Sequence, residues 1–263
     1  MLHFTALVLA GDRSGDDPQA GAIPGRKALL QVSGAAMLEH VLSALKGARQ
    51  VGDVFVVANR VQEIKAGLKA GDPAHKKVRF LEGGGSPVSS ILMALEKLKL
   101  PMPVLIVTAD SPLLQAGEID GFCEKSIGLK GVDATVGMIE KSKFSVRHPD
   151  IKRTFISLKG EGYKACNIFA LLTPGAKSGV QFWLKVEKDR KKVLAMVAGF
   201  GFGAMLAYVF GTLTLDRAFG RASKVIGAEF QPVIMANPDL AMDVDTLAHA
   251  VVVEEIFSKR VQS

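Results

Sequence analysis

Two cysteines among 263 residues, Cys123 and Cys166, stand far apart with no Cys-x-x-Cys or Cys/His ligand spacing. That excludes a disulfide scaffold and a structural zinc site, and it suits a reducing cytoplasm. Tryptophan occurs once and tyrosine twice, and no lysine and arginine run is interleaved with aromatics, so nucleic acid is not an expected partner. Neither GxxxxGK(S/T) nor GxGxxG is present, which removes the P-loop and dinucleotide fingerprints. None of the five histidines, His3, His40, His75, His148 and His249, has a placement that marks a general base. The N-terminus MLHFTALVLAG carries no basic segment ahead of its apolar run, so it reads as a first strand and not as a signal peptide.

What the chain has in excess is positive charge. A formal net charge of +7 and a pI near 9.4 give a field that attracts anions such as nucleotides and phosphorylated metabolites. Hydrophobic residues at 48% and a mean hydropathy of +0.25 exclude disorder and supply a sizeable core. Strand-length apolar runs recur at residues 4–10, 51–59, 78–83, 104–110, 134–139 and 230–235. Residues 35–48 and 86–99, between early strands, carry apolar positions at three- and four-residue spacing and are expected to be helices. Strands continuous in apolar residues and alternating with helices predict an α/β, Rossmann-like fold, with a mostly parallel mixed sheet covered by helices on both faces. Ligands then gather at the carboxyl ends of the strands, where Gly11, Glu82 to Gly85 and Asp110 fall.

One domain spanning residues 1–263 is expected, with a helical insertion at about 178–222. Inside it, residues 193–215 carry no charge and follow the basic cluster Lys188, Arg190, Lys191 and Lys192. Length and flanking charge meet the minimum for a membrane span. Gly199, Gly201, Gly203 and Gly211 weaken a helix there. Two readings follow: a buried or interfacial helical pair, or peripheral membrane contact through 188–215.

The stretch LVLAGDRSGDDPQAGAIPGRKALLQVSG, residues 7–34, runs from a strand through a glycine into a long loop that ends at Lys27. Leu9, Ala10 and Gly11 can present backbone N–H groups to phosphate oxygens, with Gly11 allowing close approach. Arg13 and Lys27 can balance the charge of a triphosphate and of leaving pyrophosphate. With GRKALLQVSGAAMLEHVLSAL, LEGGGSPVSSILMALEKL (81–98), VLIVTADSPLL (104–114) and MANPDLAMDVDTLAHAVVVEEIF (235–257), this loop resembles the MobA-like nucleotidyltransferases.

That resemblance implies a GT-A type nucleotidyltransferase fold and transfer of a nucleoside monophosphate from a Mg²⁺-bound NTP, GTP or CTP, to a phosphorylated small-molecule or lipid-related acceptor, with release of pyrophosphate. On the matching motifs, Arg13, Lys27 and Asp110 are catalytic, and Leu9, Ala10, Gly11, Gly84, Ser89 and Ser90 bind the nucleotide. Asp110 and Asp245 hold Mg²⁺, while Lys164 and Asn167 meet the acceptor, with Arg153 beside them. Residue by residue, other roles stay open. Asp110 is equally a turn residue before Ser111-Pro112, and Asp245 is placed to cap a helix starting near Leu247. If residues 241–245 are extended, Asp243 and Asp245 share a face.

Asp12 departs from the family's loop, where a glycine stands. It supports an alternative reading as a non-catalytic nucleotide-binding relative. A membrane-surface sugar transferase of the same broad fold is the third reading, resting on residues 188–215.

Overall fold

The computed structural model of the chain describes residues 3–11, 26–69, 77–188, 206–208 and 210–261. In chain order the elements are β1 (Phe4–Leu9), β2 (Gln31–Val32), β3 (Ala35–Ala36), α1 (Met37–Gly47), β4 (Val51–Ala58), α2 (Val61–Gly67), β5 (Val78–Glu82), α3 (Pro87–Leu98), β6 (Val104–Thr108), α4 (Ala116–Gly128), β7 (Ala134–Glu140) and α5 (Lys141–Arg147). They continue with β8 (Ile156–Leu158), β9 (Glu161–Leu171), α6 (Ala176–Lys188), α7 (Leu215–Ile226), β10 (Phe230–Ile234) and α8 (Leu247–Val261). All six expected strands form. The main sheet runs β10-β7-β9-β6-β1-β4-β5, with β8 paired to β9.

β1 lies at the heart of this sheet, parallel to β4 and to β6. Its side chains alternate between two cores. Phe4, Ala6 and Val8 join one face with Met37, Leu38 and Leu42 of α1, Phe122 of α4 and Val253 of α8. Leu7 joins the other with Val88 and Leu95 of α3 and Val180 of α6. Two covered faces explain why the strands read as unbroken apolar runs, since each buried Leu, Val or Phe stabilises by roughly 1.5–3 kcal/mol.

The helix expected over 35–48 starts only at Met37. Ala35 and Ala36 pair with Val32 and Gln31 across a turn at Ser33 and Gly34, both at positive φ. The stop is Glu39, whose carboxylate accepts from Ala36 N at 2.8 Å and so defines the first turn. The sequence also understates β9, the strand antiparallel to both β6 and β7. Its residues, EGYKACNIFAL, include a glutamate, a lysine and an asparagine and never form a long apolar run. It is a strand because both of its edges are paired.

Helix occupies both ends of the stretch expected to be inserted. α6 lies beside α3, and α7 lies beside β10. Residues 189–205 and 209 are outside the described residues, and with them most of the apolar run 193–215. Among the described residues no helix is long and apolar enough to cross a membrane.

Candidate active site

Because β1, β4, β5 and β6 are parallel, their carboxyl ends share one edge of the sheet. Backbone pairing continues one step beyond the strands: Ala10 N donates to Val57 O and Ala109 N to Leu9 O, each at 2.9 Å. Asp110 is thereby fixed within one residue of a rigid ladder. Its backbone carbonyl accepts from Val244 N at 3.0 Å, and its carboxylate accepts from the Thr108 hydroxyl. The closing segment of the chain is thus tied directly to the end of β6.

Lys27 opens a single 3₁₀ turn, Lys27–Leu29, whose Ala28 is buried in the core. Its Nζ donates to Asp110 Oδ2 at 2.6 Å and to Asp245 Oδ1 at 2.7 Å. Three residues from the start, middle and end of the sequence therefore meet at one ammonium. Burial disfavours the charge on Lys27, but the two carboxylates outweigh it and hold its pKa above the ordinary value. Burial likewise pushes Asp245 up, and the Lys27 hydrogen bond and charge, aided by His249 and Arg153, bring it below the usual carboxylate value.

Capping does not claim Asp245. The Thr246 hydroxyl accepts from His249 N at 3.3 Å and serves the first turn of α8, which leaves the Asp245 carboxylate to Lys27. Asp243 has other neighbours: Lys164 Nζ lies 3.3 Å and Arg153 Nη1 lies 3.6 Å from its Oδ1. The two aspartates make different side-chain contacts, Asp245 with Lys27 and Asp243 with Lys164, because residues 242–246 belong to no strand whose alternation would align them.

Asp110 and Asp245 are the groups here that fit a divalent cation. Two carboxylates from separate elements converge on one cationic atom, and Mg²⁺ is typically held by one or two protein carboxylates together with waters and substrate phosphates. Among the described residues no cluster of three or more His, Cys, Asp or Glu side chains forms an all-protein metal cage.

Beside this triad a pocket is lined by Leu9, Gly11, Asn59, Gly84, Ser86 and Ser90, with Val57, Gly85 and Pro87. Four of the six residues expected to bind nucleotide line it. A Cβ on Gly83 would stand 2.9 Å from Ser90 Oγ and 3.3 Å from the Ala58 carbonyl carbon, so the turn hugs β4 because it lacks side chains. Ser89 and Ser90 spend their hydroxyls on the turn itself. Ser90 Oγ accepts from Gly84 N at 2.9 Å and donates to Ser86 O at 2.8 Å. Ser89 Oγ accepts from Ser86 N at 2.8 Å and donates to Ser86 O at 2.9 Å. Ser86 caps α3 in return, accepting from Ser89 N. Glu82 is occupied as well, accepting from Arg60 N at 2.7 Å and Val61 N at 3.2 Å at the start of α2.

On the other flank, β9 bulges. Val136 of β7 pairs with Phe169 and Met138 pairs with Ala165, so Gly137 faces the stretch Cys166 to Ile168. Gly137 makes the room: a Cβ there would clash with Ile168 and stand 2.8 Å from Cys166 Sγ. Asn167, at the crest, takes φ +55°, a left-handed conformation that Asn tolerates better than most residues. It lies next to Ile168, which pairs with Val107 near the end of β6. Lys164 and Asn167 thus belong to the same edge as Asp110. Cys166 is inert by burial, its thiol pushed up to about 12.

Arg13 and Asp12 lie outside the described residues. Two site residues escaped the sequence reading. Asn59 follows β4 just as Gly11 follows β1, and that position was its signal. His249 follows Asp245 by four residues at the start of α8 and accepts from Asp245 N at 3.2 Å through Nδ1.

Residues 6–143 match the model of the MobA-like NTP transferase domain. A search of curated proteins finds no match. Among solved structures the chain resembles a hypothetical transferase from Thermus thermophilus, with TM-score 0.75 and 23% identity over 94% of this chain and 99% of that one. It also resembles a CMP:2-keto-3-deoxy-manno-octonic acid synthetase complexed with CTP, with TM-score 0.61 and 12% identity over 98% and 99%. A third is 4-diphosphocytidyl-2C-methyl-D-erythritol synthase from Anaerococcus prevotii DSM 20548, with TM-score 0.56 and 13% identity over 97% and 98%. Those likenesses establish the shared fold, and the family match extends over more than half of the chain. The chain belongs to the MobA-like NTP transferases, and its reaction class is nucleotidyl transfer.

Proposed function

We propose that this protein, as one domain over residues 1–263, transfers the nucleoside monophosphate of a Mg²⁺-NTP, CTP ahead of GTP, to a phosphorylated small-molecule or lipid-related acceptor and releases pyrophosphate. The observation that carries this reading is the meeting of Lys27, Asp110 and Asp245 beside the glycine-lined pocket. CTP takes precedence because CTP or a cytidyl product is named for two proteins of the same fold.

An acceptor oxygen attacks the α-phosphorus in line, forming a new P–O bond as the bond to the pyrophosphate oxygen breaks. Asp110 and Asp245 would hold Mg²⁺, which when bound would supply charge neutralisation at the phosphates. Lys27, together with Arg13, meets the negative charge that develops on the leaving pyrophosphate. Gly11 offers a backbone donor just past β1, where Ala10 N is already spent on Val57 O, and Leu9 and Gly84 with Ser89 and Ser90 shape the wall that receives base and ribose. Lys164 and Asn167 orient the acceptor, so positioning and electrostatics do most of the catalysis.

The test is pyrophosphate release from each of the four Mg²⁺-NTPs across a panel of phosphorylated acceptors, paired with thermal shifts for each nucleotide. CTP should give the largest stabilisation, and Asp110→Ala should abolish release while leaving the fold intact. Full turnover by Asp110→Ala would refute the site.

A further inference from the structure

Asp245 sits on a stretch, residues 242–246, that belongs to neither strand nor helix, so no regular secondary structure fixes its backbone. Three hydrogen bonds from separate parts of the chain do so instead. Arg153 Nη2 donates to the Asp243 carbonyl at 2.8 Å, Val244 N donates to the Asp110 carbonyl at 3.0 Å, and Asp245 N donates to His249 Nδ1 at 3.2 Å. Arg153 Nη1 lies 3.2 Å from the ring nitrogens of His249, so guanidinium and imidazole brace each other.

The geometry of Arg153 is informative because it is not that of a good ion pair. Its side chain is only 7% exposed, and a buried guanidinium is most favourably placed in a two-pronged contact with a carboxylate. Asp243 is adjacent, yet the closest approach to its Oδ1 is 3.6 Å, and among the described residues Arg153 Nε has no hydrogen-bond partner, while Asp243 is left to the Lys164 ammonium, 3.3 Å from Oδ1. The guanidinium forgoes that contact and serves a backbone carbonyl and the imidazole. A buried donor without an acceptor is costly, and a two-pronged pair with Asp243 would have removed that cost.

We propose that Arg153 and His249 are positioning residues that aim the Asp245 carboxylate at the site of the divalent cation, an inference that rests on Asp245 being a ligand there. His249 acts through its acceptor nitrogen on the Asp245 amide, and Arg153 acts by holding the preceding carbonyl and the imidazole ring. Neither touches the reacting atoms. This is the same outer-shell logic by which partners of a ligand tune metal affinity.

The test is Mn²⁺ titration of the full-length protein, followed by the loss of the free-ion EPR signal, for Asp245→Ala, His249→Phe, His249→Asn, Arg153→Met and Arg153→Lys, each with its melting temperature. Phe keeps the ring and loses the acceptor, so Mn²⁺ affinity should fall roughly tenfold to a hundredfold. Asn restores an acceptor near the place of Nδ1 and should return to within a few-fold of wild type. Arg153→Met should weaken binding, and Arg153→Lys should recover part of it. A merely structural His249 would show the opposite order, with Phe better tolerated than Asn. Loss of affinity in Asp245→Ala with wild-type binding in His249→Phe and Arg153→Met would overturn the positioning role alone. Unchanged affinity in Asp245→Ala would instead overturn the assignment of Asp245.

Discussion

Removal of the Lys27 ammonium is the most revealing single perturbation of this protein. Its Nζ stands 2.6 Å from one carboxylate and 2.7 Å from another, so the two acceptor oxygens lie within about 5 Å of each other. At that separation two unpaired negative charges repel by roughly 3 kcal/mol at an effective dielectric of 20. Asp245 is 56% exposed, and water there screens the repulsion toward about 1 kcal/mol. Lys27→Ala should therefore create a doubly anionic site. Without divalent cation the variant loses about 1–3 kcal/mol of stability, and millimolar Mg²⁺ restores it by linkage. Mn²⁺ should bind the nucleotide-free variant between about 5-fold and 150-fold more tightly than wild type, the same free energy expressed as affinity. NTP turnover should nevertheless be lost, because the ammonium no longer meets the phosphates. Calorimetric Mn²⁺ titration and Mg²⁺-dependent melting read the two effects. Equal or weaker Mn²⁺ binding in Lys27→Ala would refute the claim that lysine and cation compete for these carboxylates.

Other perturbations test the frame around the site. Asp239 is buried and accepts from His148 Nε2 at 2.8 Å and Arg260 Nη2 at 3.0 Å; burial raises its pKa, but these partners outweigh it and bring it below the usual carboxylate value. A depressed folded value contributes stability that is present above the unfolded pKa, near 4, and is lost as pH falls through the folded one. Urea denaturation from pH 7 to pH 3 should show that loss, and Asp239→Asn should be about 3–5 kcal/mol less stable at pH 7 with a flatter acid limb. Gly137→Ala should cost about 1–3 kcal/mol by forcing Ile168 and Cys166 apart, and it should weaken acceptor binding by disturbing Asn167; an unchanged melting temperature would argue against the bulge. Gly83→Ala should press on Ser90 and β4 and lower NTP affinity by on the order of tenfold, about 1.4 kcal/mol, read by equilibrium binding.

Legibility in the sequence followed local physics. β1, β4 and β6 were readable because a strand covered on both faces must be continuously apolar. α3 was readable from its three- and four-residue spacing, and its Ser86 cap agrees with that start. β9 was not, since its mixed residues never form a long apolar run and its pairing partners on β7 and β6 are 23 to 67 residues away in the chain. The start of α1 was missed for a related reason: Ala35 and Ala36 have no intrinsic reason to stop a helix, and the buried Glu39 carboxylate decides it. The motifs singled out Lys27, Asp110 and Asp245 individually, but nothing local gives the distances between them.

By itself, then, the sequence determined the α/β class, the strand ends on which ligand-facing residues fall, and the family motifs, because hydrophobic period and short-range chemistry are written residue by residue. Only the tertiary structure decided that Asp245 answers to Lys27 while Thr246 takes the cap, that the Asp243 carboxylate turns to Lys164 while its carbonyl takes Arg153, and that Ser89 and Ser90 brace the glycine turn. Each of those outcomes is a competition among several partners for one polar atom. Such competitions are settled by which groups the folded sheet brings within hydrogen-bonding distance.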